Sequence, residues 1–181
     1  MGKLEKELPH YLSYHNKDHT EDVLQAAENI ANNEGVPEND KRLLLTAALF
    51  HDSGFLKGRS EHEAESCAIA SCYLPMYKYQ PDEIELICGM IKATKVPQAP
   101  QNHLEKILCD ADLDYLGRDD FFILSNKLFS ELNAECIISN EDEWNREQAD
   151  FMESHHYYTA TSINLRDAKK EQYIELIKSK I

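Results

Sequence analysis

Apolar side chains recur every three or four residues along most of the chain, and this spacing is typical of amphipathic helices. The first such helix is predicted from Thr20 to the breaker Gly35-Val36-Pro37, with an apolar face made of Val23, Leu24, Ala26, Ala27, Ile30 and Ala31. No segment shows the convincing alternation of apolar and polar residues that a half-buried strand needs. The pattern predicts an all-α helical bundle without internal repeats.

Capping residues and prolines predict where the later helices begin and end. The predicted starts are Asn39 or Asp40, Ser60 with Glu63 in capping-box spacing, Pro81, and Asn102 with Glu105. Pro75 is expected to end the helix that Ser60 begins, and the helix after Asn102 is expected to continue to Gly117. Helical periodicity then extends over 121–137 and from Glu141 onward, with an interruption near Thr159-Ala160-Thr161. With 181 residues, the chain is expected to form one domain, 1–181.

The stretch Leu43–Phe50 differs from the other helices because nearly all of its side chains are apolar. A helix without a polar stripe belongs in a protein core. Gly54 is predicted to end this helix in the left-handed conformation, which places His51 and Asp52 in the last turn. A carboxylate is unfavourable there, because the helix dipole opposes it by about 0.3–1 kcal/mol and burial adds a larger penalty. A divalent metal shared by His51 and Asp52 would compensate, and a helix-capping histidine beside an exposed aspartate is the alternative.

His15 and His19 form a second candidate group. They are four residues apart, so on a helix both imidazoles would lie on one face and point into one site. A surface histidine pair is the alternative, since Asn16 stands where a metalloprotease helix of the H-E-x-x-H type carries its glutamate.

Three carboxylates end the helix that Asn102 begins, in the segment Cys109-Asp110-Ala111-Asp112-Leu113-Asp114. A cation would relieve the repulsion between Asp110 and Asp114, which are four residues apart. The spacing excludes an EF-hand loop, because Tyr115 and Phe121 stand where that loop needs Gly and Glu. A solvated acidic turn is the alternative.

The charge balance narrows the classes of partner. Lys and Arg total 19 against 33 Asp and Glu, which gives a formal net charge of -14. This charge repels nucleic-acid backbones and anionic membranes, so we expect neither as a partner. Five cysteines without a Cys-x-x-Cys pair predict free thiols. No apolar run approaches the ~20 residues of a membrane span, and the charged residues 1–7 do not resemble a signal peptide, so we expect a cytoplasmic protein.

Together, His19, the pair His51-Asp52 and Asp112 form an H…HD…D pattern spread over three predicted helices. This pattern resembles the HD-domain superfamily of metal-dependent phosphohydrolases. Tyr14-His15-Asn16 is similar to the Tyr-His-Asn stretch of the cyclic-nucleotide phosphodiesterases in that superfamily, and the pair His62-Glu63 supports the resemblance. The resemblance covers roughly residues 11–117 and implies a single HD-type helical bundle, which the C-terminal helices complete.

The resemblance implies a role for each matching residue. His19, His51, Asp52 and Asp112 would bind a divalent transition metal (Mn, Fe, Co, Ni or Zn, with Mg also possible), and Asp110 is the nearest competitor for Asp112. Asp52 would also take part in catalysis, with His15 as the proton donor. Thr94 stands where members with two metals often carry a histidine, so one tightly held ion is expected.

The implied activity is hydrolysis of a phosphoester bond in a small phosphorylated metabolite, expected to be a nucleotide, by metal-activated water. His62, Lys17, Lys95 and Arg118 are the candidates for contacting the substrate phosphate, and His62 is also a candidate for a weaker second ion. A non-catalytic metal- or nucleotide-binding regulatory module and a di-iron HD oxygenase are the alternative functions.

Overall fold

A computed structural model describes residues 9–181, which form eight α-helices and no strand. The helices are α1 (Lys17–Asn33), α2 (Glu38–Phe50), α3 (His62–Tyr73), α4 (Pro81–Ala93), α5 (His103–Asp112), α6 (Phe121–Ala134) and α7 (Glu141–Ser154). The last helix, α8, joins Ala160–Ser162, a π-helical turn at Ile163–Asp167, and Ala168–Lys178. Short 3-10 turns follow three of the helices, at Ser53–Leu56, Leu74–Tyr77 and Asp114–Gly117. The predicted all-α bundle is confirmed, and the sequence features of 1–7 lie outside the described residues.

Two clusters of buried apolar side chains hold the helices together. The first contains residues from each of the five helices α1, α2, α3, α4 and α5. It includes Ile30, Leu44, Ile87, Met90 and Ile107. The second joins the turn after α5 to α6, α7 and α8, and includes Leu116, Phe121, Met152, Ile174 and Ile177. Burial of each such side chain stabilises the fold by about 1.5–3 kcal/mol. α2 and α5 pack against each other within the first cluster, and their C-terminal ends lie side by side, since Nε2 of His51 is 3.4 Å from Oδ1 of Asp112. Among the described helices, none is both long and apolar enough to cross a membrane.

Several predicted helix boundaries are confirmed. The side chain of Asn102 caps α5 by accepting a hydrogen bond from the backbone N–H of Glu105 at 3.1 Å. Pro81 is the first residue of α4, and Gly35 follows α1 with a φ of 69°. These signals act within a few residues, so they can be recognised in the sequence.

Other predicted boundaries are wrong. α2 begins directly after Pro37, so neither Asn39 nor Asp40 caps it. The capping box of Ser60 does not form, because the chain turns at Glu61 with a φ of 54° and α3 begins at His62. α5 ends at Asp112 rather than at Gly117, and α6 ends at Ala134, before the 3 residues 135–137 that were expected to extend it. The interruption predicted near Thr159-Ala160-Thr161 is present but lies at 155–159, and the side chain of Thr159 caps α8.

Gly54 does not end α2 in the left-handed conformation. α2 ends at Phe50, and Gly54 lies inside the 3-10 turn without a positive φ. Glycine is needed there because an added Cβ would lie 1.9 Å from the backbone oxygen of His62 and 2.9 Å from the backbone nitrogen of Ser66. The N–H of Gly54 also donates to Oγ of Ser66 at 2.8 Å. The missing side chain therefore lets α3 pack directly on the turn that follows His51 and Asp52.

Candidate metal centre

The four side chains of the H…HD…D pattern meet at one place. His19 comes from α1, His51 and Asp52 follow α2, and Asp112 is the last residue of α5. His19 Nε2 lies 3.3 Å from His51 Nε2 and 3.2 Å from Asp112 Oδ1. Asp52 Oδ2 lies 3.4 Å from His19 Nε2 and 3.2 Å from His51 Nε2. When each ligand is about 2.0–2.2 Å from one ion, neighbouring ligands are about 2.8–3.1 Å apart in octahedral geometry and about 3.3–3.6 Å apart in tetrahedral geometry. The spacing of these atoms fits one divalent ion.

A hydrogen bond to the main chain orients His51 for such a role. Its Nδ1 lies 2.8 Å from the carbonyl oxygen of Ala48. Because a carbonyl oxygen can only accept, Nδ1 carries a proton, and in the neutral ring Nε2 would present its lone pair to the cluster. Metal-binding imidazoles are commonly held in this way by a hydrogen bond from the other ring nitrogen.

The two carboxylates attract positive charge to the cluster. Asp52 Oδ2 is buried, and no described residue supplies it with a hydrogen bond of good geometry. Burial would raise the pKa of Asp52, but the charges and contacts of His51 and His19 hold it well below its usual range. Burial likewise opposes a charged His19, yet contacts with Asp112 and Asp52 raise the pKa of His19 to about 9. A divalent ion would supply the charge that imidazole protons otherwise provide, so metal and protons compete for the cluster.

The structure gives Asp110 and Asp112 different surroundings. Asp110 is fully buried and accepts hydrogen bonds at 2.7–2.9 Å from the backbone N–H groups of Tyr158 and Thr159 and from the Thr159 hydroxyl. Asp114 is also buried, and it binds the guanidinium of Arg166. The alternative of a solvated acidic turn is therefore wrong for these two residues. Asp112 is the carboxylate of this segment that lies at the cluster.

His62 lies beside the four side chains. Its Nε2 is 3.4 Å from Asp52 Oδ1 and 3.6 Å from Glu63 Oε1, while Nδ1 donates to the carbonyl oxygen of Arg59 at 3.0 Å. Thr94 lines the same cavity, but its hydroxyl donates to the carbonyl oxygen of Ile91 at 2.8 Å. Fewer side chains are therefore available to bind a second metal ion beside Asp52 Oδ1 than to bind one ion at the four-residue cluster.

The spacing predicted that His15 and His19 share one face of a helix. This is wrong, because His15 lies before the start of α1. Both rings are nevertheless close, with centroids 5.8 Å apart. His15 Nδ1 contacts a carboxylate oxygen of Glu131, whose other oxygen accepts from the backbone N–H groups of Tyr14 and His15 at 2.8 and 3.0 Å. Burial would raise the pKa of Glu131, but these hydrogen bonds lower it to about 2. Glu131 thus holds His15 by Nδ1 and leaves Nε2 for the cavity.

A buried phenylalanine supports the basic side chains of the site. The ring of Phe55 stacks on His15 with centroids 4.2 Å apart, and its centroid lies 4.3 Å from that of His62. The guanidinium of Arg59 lies over the same ring at 5.1 Å. Phe55 therefore fixes three nitrogen-bearing side chains around one apolar support.

The predicted phosphate-binding residues fall into two groups. His62 and Lys95 line the cavity, as does Arg59. Arg118 lines a neighbouring cleft instead, where its guanidinium binds Asp22 at 2.7 Å and Asp120 at 2.5 Å. Lys17 contacts Glu21 one turn along α1 at 3.6 Å and does not line the cavity. The predicted phosphate-binding role of Arg118 and Lys17 is therefore corrected, because proximity in sequence did not bring either side chain to this cavity.

The cavity has a volume of about 530 Å³, which lies within the usual range for small-molecule sites. Asp52 and Asp112 form part of its wall, together with His15 and His62. Away from these polar groups, the wall is formed mainly by apolar side chains of α6, α7 and the loop between them. The candidate metal centre therefore borders a cavity large enough for a small molecule.

Comparisons with known proteins agree with this fold and site. The family profile described as "HD domain" matches residues 17–114, which is more than half of the chain and contains all four clustered side chains. The chain belongs to the HD-domain family, as its motifs predicted. Its fold is similar to the crystal structure of a predicted HD superfamily hydrolase from an uncultured Thermotogales bacterium, with a TM-score of 0.61 and 19% identity over 98% of this chain and 95% of that one. A search of curated proteins gives no match.

Sequence reasoning missed Glu131 and Phe55, and it assigned no role to the C-terminal third of the chain. Glu131 is fully buried and is the only acidic residue of α6, and this was the available signal. Phe55 follows the His51-Asp52 pair closely, but nothing in its spacing shows that three basic side chains pack on its ring.

Proposed function

We propose that this protein is a metal-dependent phosphohydrolase that cleaves a phosphoester bond in a small phosphorylated metabolite. The observation that carries the proposal is the convergence of His19, His51, Asp52 and Asp112 beside a cavity of about 530 Å³. The chain's membership of the HD-domain family supports it, and the similar Thermotogales protein is itself described as a predicted hydrolase.

The ligand set consists of two imidazoles and two carboxylates, which suits Mn, Fe, Co, Ni or Zn better than Ca and also admits Mg. A bound ion would supply positive charge for a phosphoryl oxygen and would acidify water at this end of the cavity. We propose one tightly bound ion, because Thr94 uses its hydroxyl within its own helix and offers no imidazole for a second.

The remaining roles belong to side chains of the protein. Asp52 Oδ1 lies on the side of the carboxylate that faces His62 and can accept a proton from attacking water. His15 Nε2 can donate a proton to the leaving oxygen, with Glu131 holding the ring by Nδ1. His62, Arg59 and Lys95 carry the positive charge nearest to the substrate phosphate.

A panel of phosphomonoesters, phosphodiesters and nucleotides, assayed for phosphate release with each candidate metal, tests the proposal. The wild type is expected to hydrolyse at least one class of phosphoester in a chelator-sensitive manner, and Asp52→Asn is expected to abolish turnover. His103→Gln is the matched control, since His103 is half-exposed on α5 outside the cavity. Metal binding without hydrolysis of any phosphoester would favour the regulatory alternative. The predicted nucleotide substrate is one arm of the same panel.

A further inference from the structure

The lining of the cavity contains two groups of opposite character. One group, at the metal centre, consists of Asp52, Asp112, His15 and His62. The other group, which we call the apolar wall or apolar end, consists of Leu116, Leu128, Leu132, Ile138, Trp144 and Phe151. Of these, Leu116, Ile138 and Trp144 are buried, so this apolar wall is part of the folded interior rather than a surface patch.

Two hydrogen-bond donors beside the apolar wall, Trp144 and Gln148, are already bonded within the protein. Nε1 of Trp144 donates to Oγ of Ser125 at 3.3 Å, and Nε2 of Gln148 donates to the same oxygen at 2.5 Å. A nucleoside brings ring nitrogens, an exocyclic amine or carbonyl, and ribose hydroxyls, and each loses water on entering such a cavity. A wall of leucine, isoleucine and aromatic side chains does not replace those hydrogen bonds, whereas it suits a hydrocarbon.

The charges of the cavity favour a substrate with a single phosphate. Among the described residues that line it, the cations Arg59 and Lys95 already have carboxylate partners, Arg59 with Glu131 and Glu135 and Lys95 with Glu61 at 2.8 Å. Further carboxylates, including Glu63 and Glu147, line the same space. A di- or triphosphate chain would meet these anions, while one phosphate can stay beside the metal centre.

We propose that the substrate is a phosphomonoester with a hydrocarbon body, whose phosphate lies at the metal centre and whose body lies against the apolar wall between α6 and α7. This inference rests on the proposed phosphohydrolase function. In the reaction, a water oxygen bonds to phosphorus, the bond between phosphorus and the alcohol oxygen breaks, and that oxygen takes a proton. The products are inorganic phosphate and an apolar alcohol.

A series of ethyl, butyl and hexyl phosphate, with adenosine monophosphate for comparison, tests the inference by turnover. Each methylene that enters the apolar end is expected to raise kcat/KM about three- to fourfold, because that is the factor equivalent to the burial of one CH₂ group. The gain is expected in KM, since the hydrocarbon does not take part in the chemical step. Equal kcat/KM values for ethyl and hexyl phosphate, or a preference for adenosine monophosphate over hexyl phosphate, would overturn the inference and leave phosphohydrolase function intact.

A binding measurement separates the apolar site from catalysis. Trp144 is the only tryptophan of the chain and forms part of the apolar wall, so its fluorescence reports occupancy directly. Titration of the protein with 1-hexanol, the product of hexyl phosphate, is expected to shift the emission in a saturable way, whereas ethanol at the same concentration is not. Absence of a saturable shift would overturn the inference even if phosphoesters are hydrolysed. An emission that changes with protein concentration and not with hexanol would show that a second copy of the chain covers the wall.

Variants of α6 provide the matched control. Leu132→Asn places an amide in the apolar wall and is expected to lower the hexyl-to-ethyl ratio of kcat/KM about tenfold, equivalent to about two methylenes. Ile123→Asn introduces the same amide on the same helix at a position that is 64% exposed and outside the cavity, and it is expected to keep the ratio. Ile137→Asn, in the loop after α6 at the exposed rim of the cavity, is the second cavity variant, and it decides the test if Leu132→Asn does not fold. A ratio unchanged in both cavity variants would contradict the inference.

If neither this series nor the wider phosphoester panel is hydrolysed, the proposed function fails, and the hexanol titration still decides whether the apolar end binds hydrocarbon.

Discussion

Replacing Gly54 by alanine tests whether close packing of α3 on the turn after Asp52 is needed to position His62. The new Cβ would lie 1.9 Å from the backbone oxygen of His62 and 2.9 Å from the backbone nitrogen of Ser66. Both are main-chain atoms of α3, so rotation of a side chain cannot relieve the contact. The substitution is therefore expected to push α3, with His62, away from the turn that follows Asp52.

The magnitude follows from the two interactions that change. Overpacking a well-packed core typically costs about 1–3 kcal/mol, and a clash with backbone belongs at the upper end of that range. Separation of the segments also weakens the hydrogen bond from the Gly54 N–H to Ser66, which is worth about 0.5–1.5 kcal/mol net. Together these give a loss of about 3–4 kcal/mol, a large fraction of the ~5–15 kcal/mol that stabilises a typical domain.

Urea unfolding followed by circular dichroism measures this loss, with Gly89→Ala as the control. Gly89 lies inside α4, and its added Cβ would meet no backbone atom and only one side-chain atom, Oε1 of Glu105 at 3.2 Å. Alanine is favoured over glycine within a helix by about 0.5–1 kcal/mol, so Gly89→Ala is expected to be neutral or slightly stabilising. A Gly54→Ala variant within about 1 kcal/mol of the wild type would refute the reasoning, because overpacking against backbone is expected to exceed that figure.

Three further predictions concern individual side chains. His15→Gln is expected to keep the metal and to lower kcat by about 10²–10⁴-fold, as measured by elemental analysis and steady-state kinetics, and loss of the metal would show that His15 is a ligand. The pKa of Glu131 is lowered from 4.5 to about 2, so its carboxylate stabilises the fold above pH 4.5 and that contribution disappears as the pH falls toward 2. Glu131→Gln is therefore expected to lower the free energy of unfolding by up to about 3 kcal/mol at pH 7, in urea titrations, with a deficit that narrows below pH 4.5. Burial lowers the pKa of His155 from 6.5 to about 3, so the unfolded chain takes up a proton first and stability falls as the pH drops from 6.5 toward 3. About 2 kcal/mol of the stability lost between pH 7.5 and pH 5 is expected to disappear in His155→Phe, and parallel pH profiles of variant and wild type would contradict this.

The candidate ligands could be named because the H…HD…D pattern resembles the HD-domain superfamily, while local signals indicated where three of them lie along the helices. His51 and Asp52 adjoin an apolar helix, and Asp112 lies near the end of another, so the helix pattern in the sequence located these three residues at the ends of helices. The periodicity of the helices was equally readable. It did not define every boundary, because the turns at Glu61 and Cys136 adopt positive φ angles without a glycine to indicate them.

The rest of the site depends on contacts between distant segments. Glu131 reaches His15 across more than a hundred residues of sequence, and no spacing rule relates the two. The sequence correctly predicted that residue 54 must be glycine, but for the wrong reason. Both a left-handed turn and the close approach of another helix favour glycine, and the sequence alone does not distinguish the two. Arg118 and Lys17 were predicted to contact phosphate because they lie near the motifs in sequence. Arg118 instead binds Asp22, and Lys17 contacts Glu21 on its own helix.

Calorimetric titration of Mn²⁺ into metal-free protein tests the central claim most directly. One tight site per chain is expected in the wild type and in His15→Gln, and no tight site is expected in Asp52→Ala or His51→Ala. Elemental analysis of protein purified without chelator is expected to agree, with about one transition metal per chain. Absence of tight binding in the wild type, or binding that survives both Asp52→Ala and His51→Ala, would contradict the assignment of this cluster as a metal centre. Two tight sites without substrate would contradict the expected single ion.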